Sequence, residues 1–299
     1  MKSDLFIPAD IPQHAHAEFE KNYRAITRGT NRLLLFSCDQ KIEHLNRDFF
    51  GAGIDPADND PMHMFSIAAH GHIGAFATHL GLIAQYGMDF PDINYIVKMN
   101  GKTDLVKTEQ QDPLSKQLWT IEQLISFKEN TGLAIAGIGY TIYPGSIYEA
   151  QMLKEAAQLI FQAHQHGFVT ILWMYPRGKA VADERDGNLI TGVAGLACSL
   201  GADFAKINMP NDQNPHQWLQ IAAQAAGKTK LIISGGAQVS AQTFLQELYK
   251  QIHEGALAGC ATGRNIHQRC LVDAVALTKA MQGIIYENKR VEEVIQGMP

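Results

Sequence analysis

No apolar run in this chain is long enough to cross a bilayer. The longest, such as Leu257 to Thr262 and Phe168 to Met174, are strand-sized, against the roughly 18 residues a membrane helix requires. Cysteine is scarce. The four present, Cys38, Cys198, Cys260 and Cys270, form neither a CxxC pair nor a small secreted framework, so reduced thiols are expected. Positive charge gathers nowhere: net charge is −5 with no basic block, which argues against nucleic acid as a partner. Met1 to Gln13 mixes charge with Pro8 and Pro12 and lacks the apolar region of a signal peptide. A cytoplasmic location with no membrane partner is the expectation. Also missing is any low-complexity linker or charge run that would divide the chain. Residues 1–299 therefore read as a single domain, with 1–30 as an N-terminal extension and 287–299 as a C-terminal tail.

What is present is a hydrophobic content of 46%, enough for a sizeable core, and a repeating strand-then-helix pattern. Candidate strands are Leu33–Ser37, Ala75–His79, Tyr95–Met99, Ala134–Tyr140, Val169–Trp173, Phe204–Ile207, Leu231–Ser234 and Ala258–Ala261. Several are continuous apolar runs, as expected of parallel strands covered on both faces. Helical patterns lie between most of them, the clearest at Ser146 to His166, where Ser146 and Glu149 have capping-box spacing and Gly167 suits the stop. Ala17 to Ile26 reads as an extra helix ahead of the first strand. Eight alternations in one chain predict an α/β fold, a closed (β/α)8 TIM barrel with an extra N-terminal helix. The rival is an open doubly wound sheet, but it lacks its glycine-rich turn after strand one.

Active sites of such barrels sit on the loops after the strands, and here those ends are polar. Strand one leads to Asp39, Lys41, Glu43 and His44, strand three to Lys98 and Asn100, and strand five to Trp173, Tyr175, Arg177 and Lys179. Strand six carries Lys206 and Asn208. Strand seven ends in Ser234-Gly235-Gly236 and strand eight in Thr262-Gly263-Arg264-Asn265. Paired glycine turns let backbone N–H groups converge on an anion, and Arg264 adds charge, so a phosphate site is expected there. Arg177 and Lys179 are either further anion contacts or solvated loop charges.

Lys206 sits within an apolar strand. Desolvation that lowers a lysine from about 10.4 to about 7.4 leaves roughly a quarter to a third as free amine at pH 7, which carbonyl attack requires. The alternative is a structural lysine paired with a carboxylate, and Lys98 is an equal rival on spacing alone. Trp173 and Tyr175, two apart, should point the same way into the barrel mouth.

Together these strand ends resemble the archaeal-type class I fructose-bisphosphate aldolases. The likeness is carried by Cys38-Asp39-Gln40-Lys41-Ile42-Glu43-His44, Gly139 to Ser146, Trp173-Met174-Tyr175-Pro176-Arg177-Gly178, Gly201 to Lys206, Ser234-Gly235-Gly236 and Gly263-Arg264-Asn265. The resemblance implies Lys206, rather than Lys98, as the Schiff-base lysine. It implies Tyr175 as general acid/base, Trp173 as a wall of the sugar site and Asp39 as a contact to the reacting hydroxyls or an ordered water. It further implies a phosphate clamp at the last two turns, a sugar phosphate as the small-molecule partner, no cofactor, and a homo-oligomer. One departure stands out. Many relatives have glycine directly after the aspartate, whereas this chain has Gln40-Lys41 and then a long polar stretch, Asn46 to Pro61, with Asp55, Asp58 and Asp60.

The motifs equally suit a related Schiff-base aldolase or transaldolase-type enzyme acting on another phosphorylated keto compound, and two other classes compete. A metal-dependent aldolase or hydrolase would draw on His63, His70, His72 and His79, since neutral imidazole is a common zinc ligand; His70-Gly-His72, however, reads as loop. A non-enzymatic sugar-phosphate binder would share the glycine turns but form no imine.

Overall fold

In the computed structural model, which describes residues 5–44, 48–105 and 112–296, eight parallel strands close into a barrel. They are β1 (Leu33–Ser37), β2 (Ala75–His79), β3 (Tyr95–Lys98), β4 (Ile135–Ile142), β5 (Val169–Met174), β6 (Phe204–Ile207), β7 (Lys230–Ser234) and β8 (Gly259–Thr262). Each pairs with its neighbours in sequence, and β1 closes on β8 with Leu34 opposite Cys260 and Phe36 opposite Thr262. Every expected strand is present to within a residue or two, because runs buried on both faces carry their signal in composition.

Side-chain alternation separates two cores. Leu34, Phe36, Val97 and Leu172 point outward and pack under the surrounding helices. Leu33, Leu35, Ile96, Ile171, Phe204 and Ile232 point inward. The extra N-terminal helix, His16–Thr27, joins that inner core through Phe19, Tyr23 and Ile26, and Tyr23 stacks on Phe204 at 5.5 Å. It plugs the end of the barrel where the strands begin, so only the opposite end, where they finish, is open.

Several local readings need correction. The helix expected from Ser146 begins at Glu149, and no capping box forms. Ser146 instead donates its hydroxyl to the Pro113 carbonyl and accepts from the Tyr148 amide, while Glu149 accepts from the Gly145 amide. His70 does not lie in a loop: it closes a helix, Pro61–His70, capped by the Asp60 side chain on the Met62 amide. A short helix, Val291–Ile295, packs on the helix Leu271–Glu287 where the sequence suggests only a tail. A small antiparallel pair, Asn100–Gly101 with Lys116–Gln117, extends beyond β3.

Candidate active site

A cavity of about 170 Å³ opens at the C-terminal ends of the strands. Its wall contains all ten residues singled out from the sequence: Asp39, Trp173, Tyr175, Arg177, Lys206, Ser234, Gly235, Gly236, Gly263 and Arg264. Five separate strand ends supply them, which is what closing the barrel accomplishes.

The two rival lysines occupy different environments. Lys98 is fully buried and ion-paired, with Nζ 3.3 Å from Glu43 Oε1 and 3.6 Å from Asp39 Oδ2, and it is not part of the cavity wall. Lys206 is in that wall and donates to the Ser37 hydroxyl at 3.3 Å. Ser37 in turn donates to Asp39 Oδ1 at 3.0 Å. Burial pushes Lys206 down to about 8; Asp39 opposes this, and the positive charges of Lys98 and Arg264 assist it. Burial alone would raise Asp39, but Lys98 and Lys206 beside it outweigh that and hold its carboxyl below the ordinary range. The site thus keeps an amine near neutrality beside a firmly ionised acid.

Trp173 is buried, and both ammonium groups approach its ring, Lys206 at 5.5 Å and Lys98 at 5.6 Å from the centroid. The Tyr175 ring lies 6.0 Å from Lys206. Burial first, and then the Asp39 charge, push the Tyr175 hydroxyl well above its usual value, so at rest it holds its proton. Arg177 is engaged elsewhere, in a two-pronged pair with Glu184 at 2.7 and 2.8 Å.

The two glycine turns meet side by side. A Cβ on Gly235 would stand 1.8 Å from Thr262 Oγ1, and one on Gly263 would stand 2.3 Å from the Ser37 carbonyl; any larger residue would force the turns apart. Asn265 ties them together, donating to the carbonyls of Gly235 at 2.7 Å and Ala237 at 3.0 Å. Ser234 donates to Asn208 Oδ1 at 2.8 Å. Arg264 Nε is 3.8 Å from Asp48, too far for a hydrogen bond, and its guanidinium stays partly exposed at the rim.

Of the other strand-end residues, Glu43, His44 and Asn208 also line the cavity, whereas Lys41 and Lys179 fall outside it. Lys41 donates to the Asn59 carbonyl at 2.9 Å and covers the Phe49 ring, and Lys179 is exposed. The acids of the polar stretch, whose residues 46 and 47 lie outside the described ones, hold structure: Asp55 and Asp60 cap helices, and Asp58 pairs with His267 at 2.7 Å, both fully buried. Nor do the four histidines assemble. His63 bonds to the carbonyls of His267 and Arg269, His70 to that of Ser66, and His79 is buried beside Lys98. Among the described residues no group of three or more metal-ligating side chains converges. No described helix is long and apolar enough to cross a membrane.

Sequence reasoning assigned no role to Ser37, Glu43 or Tyr143. Glu43 lines the cavity and accepts from both Lys98 and the Tyr143 hydroxyl, the latter at 3.2 Å. The signal available was its place four residues after Asp39, which on a helical turn brings both carboxylates to one side; its partner Tyr143 is a hundred residues away and leaves no local trace.

A plugged barrel with a lysine, an acid, a tyrosine and paired glycine turns at its open end belongs to the class of barrel lyases. The chain is a member of the DeoC/LacD family of aldolases, whose model matches residues 33–269. It is similar to "Fructose-bisphosphate aldolase/6-deoxy-5-ketofructose 1-phosphate synthase" of Methanocaldococcus jannaschii, with 48% identity over 295 residues, covering 99% of this chain and 94% of the relative. A class 1 fructose-bisphosphate aldolase of Thermoproteus tenax is 31% identical over 92% of this chain and 97% of its own. Among solved structures, a fructose-bisphosphate aldolase from Slackia heliotrinireducens superposes with a TM-score of 0.96 at 48% identity, covering 99% of this chain and 94% of that one. A structure of an archaeal fructose-1,6-bisphosphate aldolase with its catalytic lysine bound to the carbinolamine intermediate has a TM-score of 0.77 at 27% identity, covering 90% and 99%.

Proposed function

We propose that this aldolase is a class I fructose-bisphosphate aldolase, cleaving fructose 1,6-bisphosphate reversibly to dihydroxyacetone phosphate and glyceraldehyde 3-phosphate through a Schiff base on Lys206. The observation that carries the reading is the contrast between the lysines: Lys206 lines the cavity and bonds to a hydroxyl, while Lys98 is locked between two carboxylates. Relatives named for this activity support it.

Neutral Lys206 adds to the C2 ketone to give a carbinolamine. Tyr175 passes its proton to the leaving hydroxyl, water departs, and an iminium forms. The resulting tyrosinate takes the proton of the C4 hydroxyl, whose electrons form the aldehyde carbonyl as the C3–C4 bonding pair moves into the iminium. Glyceraldehyde 3-phosphate leaves, and the enamine takes a proton at C3 from Tyr175. Hydrolysis then returns the amine and dihydroxyacetone phosphate. Asp39 positions the reacting hydroxyls, with Trp173 as the floor. Ser234, Gly235, Gly236, Gly263 and Arg264 hold a phosphate and so fix the chain for attack. Arg177, tied to Glu184, contributes a wall more than a charge.

A second reading is aldol synthesis of another phosphorylated ketose, supported by the second activity in the name of the Methanocaldococcus relative. Dihydroxyacetone phosphate offered with a panel of aldehydes separates the two. The first test is borohydride reduction in the presence of dihydroxyacetone phosphate, followed by peptide mapping. The adduct is expected on Lys206; a Lys206→Met protein that still traps and cleaves would sink the assignment.

A further inference from the structure

Lys98 is the buried cation for which the proposed mechanism has no use. It sits fully buried at the end of β3, with Nζ between Glu43 and Asp39 and donating to the Asn100 carbonyl at 3.2 Å. A lone structural ion pair would need one carboxylate and no access to the cavity. Here there are two, and both line the cavity. Each also makes a further bond toward the site: Asp39 accepts from Ser37, which receives Lys206, and Glu43 accepts from Tyr143. Lys98 therefore opposes the one carboxylate that reaches Lys206. Without it, the Asp39 charge, joined to Lys206 through Ser37, would favour the ammonium form with less to offset it.

We propose that Lys98 is a positioning residue of the reaction: its ammonium, held between Asp39 and Glu43, keeps Asp39 in place and keeps the Asp39 charge from fixing Lys206 as a cation. This rests on Lys206 being the Schiff-base lysine. The groups that face Lys206 are Asp39, Lys98, Tyr175, Arg264 and the Cys260 thiol. Those that face Lys98 are Asp39, Glu43, His79 and Lys206 itself. Burial, with Lys98 adding to it, lowers His79 to about 4, and burial raises Cys260 to about 12, so neither changes charge between pH 6 and 10.

The test is the rate of cyanoborohydride trapping of dihydroxyacetone phosphate from pH 6 to 10, on the full chain, with the adduct located by mass spectrometry. The wild-type rate should rise through a midpoint near 8. In Lys98→Met the midpoint should move up by about one pH unit, so trapping falls about tenfold at pH 7 and stays within about threefold at pH 10. Glu43→Gln leaves the Lys98 ammonium to Asp39 alone, so Asp39 is offset more fully and the midpoint should move down. A Lys98→Met loss that is the same at every pH, with the midpoint unmoved, means a structural pair only and overturns the proposal. If Lys98→Met does not fold, Glu43→Gln decides: a midpoint that stays or rises overturns it equally. A wild-type adduct on Lys98 would be a different failure, that of the Lys206 assignment itself.

Discussion

Lys206 and Trp173 are direct register partners on β6 and β5, and the ammonium lies 5.5 Å from the centre of the indole ring. The pairing places the amine over an apolar surface at the floor of the cavity, where burial disfavours its charged form. Only the neutral amine attacks a ketone, so activity should rise with pH as Lys206 loses its proton. The expected kcat/KM profile for cleavage climbs from pH 6 and flattens above a midpoint near 8. An ordinary lysine, titrating at about 10.4, would keep the rate climbing to the alkaline limit, and that profile would contradict the burial argument.

Tyr175 has its hydroxyl raised by burial and by Asp39, which suits a group that must start each cycle protonated. Tyr175→Phe should lower kcat by about 10²–10⁴. Imine formation survives, slowly, because the amine remains. The discriminating measurement is solvent deuterium exchange at C3 of dihydroxyacetone phosphate. It should vanish in the variant while the borohydride adduct still accumulates; exchange at the wild-type rate would remove Tyr175 from proton transfer.

The two arginines of the cavity should behave differently. Arg264 is only 3.8 Å from Asp48 and is free to turn toward a phosphate, so Arg264→Met should raise KM by about 10- to 100-fold, in line with about 1.5–3 kcal/mol for a charged hydrogen bond. Arg177 is already gripped at both prongs by Glu184. Arg177→Met should change KM by less than about threefold, and stability little, because a pair this exposed is worth about 0–1 kcal/mol. Equal KM effects in steady-state assays would mean that Arg177 leaves Glu184 to bind substrate.

The barrel was legible because its strands are apolar runs whose burial does not depend on which partner covers them. The cavity residues were legible for a related reason: polar side chains at the ends of such runs converge once the barrel closes. What could not be read were pairings across the sequence. Nothing near Lys98 in the chain announces Glu43 and Asp39, so spacing alone could not tell the paired lysine from the free one. The helix Pro61–His70 was hidden by its opening proline and by the aspartates before it, which look like loop and serve as caps. Glu149 likewise matched a capping box in spacing but bonds to the Gly145 amide.

Far from the cavity, His164 is fully buried between two carboxylates, 2.8 Å from Asp10 and 3.2 Å from Asp203. Asp203 also accepts from the Thr170 amide and hydroxyl at 2.8 and 3.0 Å, so the histidine links the N-terminal extension to the barrel wall. Burial alone would lower its pKa, but Asp203 and Asp10 outweigh it and the net shift is upward. A raised folded value means that the stabilisation is fully present below the unfolded value of about 6.5 and is lost as pH rises through the folded one. His164→Gln should therefore cost about 2–3 kcal/mol at pH 6, at or below the low end for breaking a buried pair, since Asp10 is a third exposed. At pH 9 the cost should be clearly smaller. Thermal unfolding of both proteins at the two pH values measures this. A melting difference that does not narrow from pH 6 to pH 9 would show that His164 holds the extension as a neutral hydrogen-bonding group.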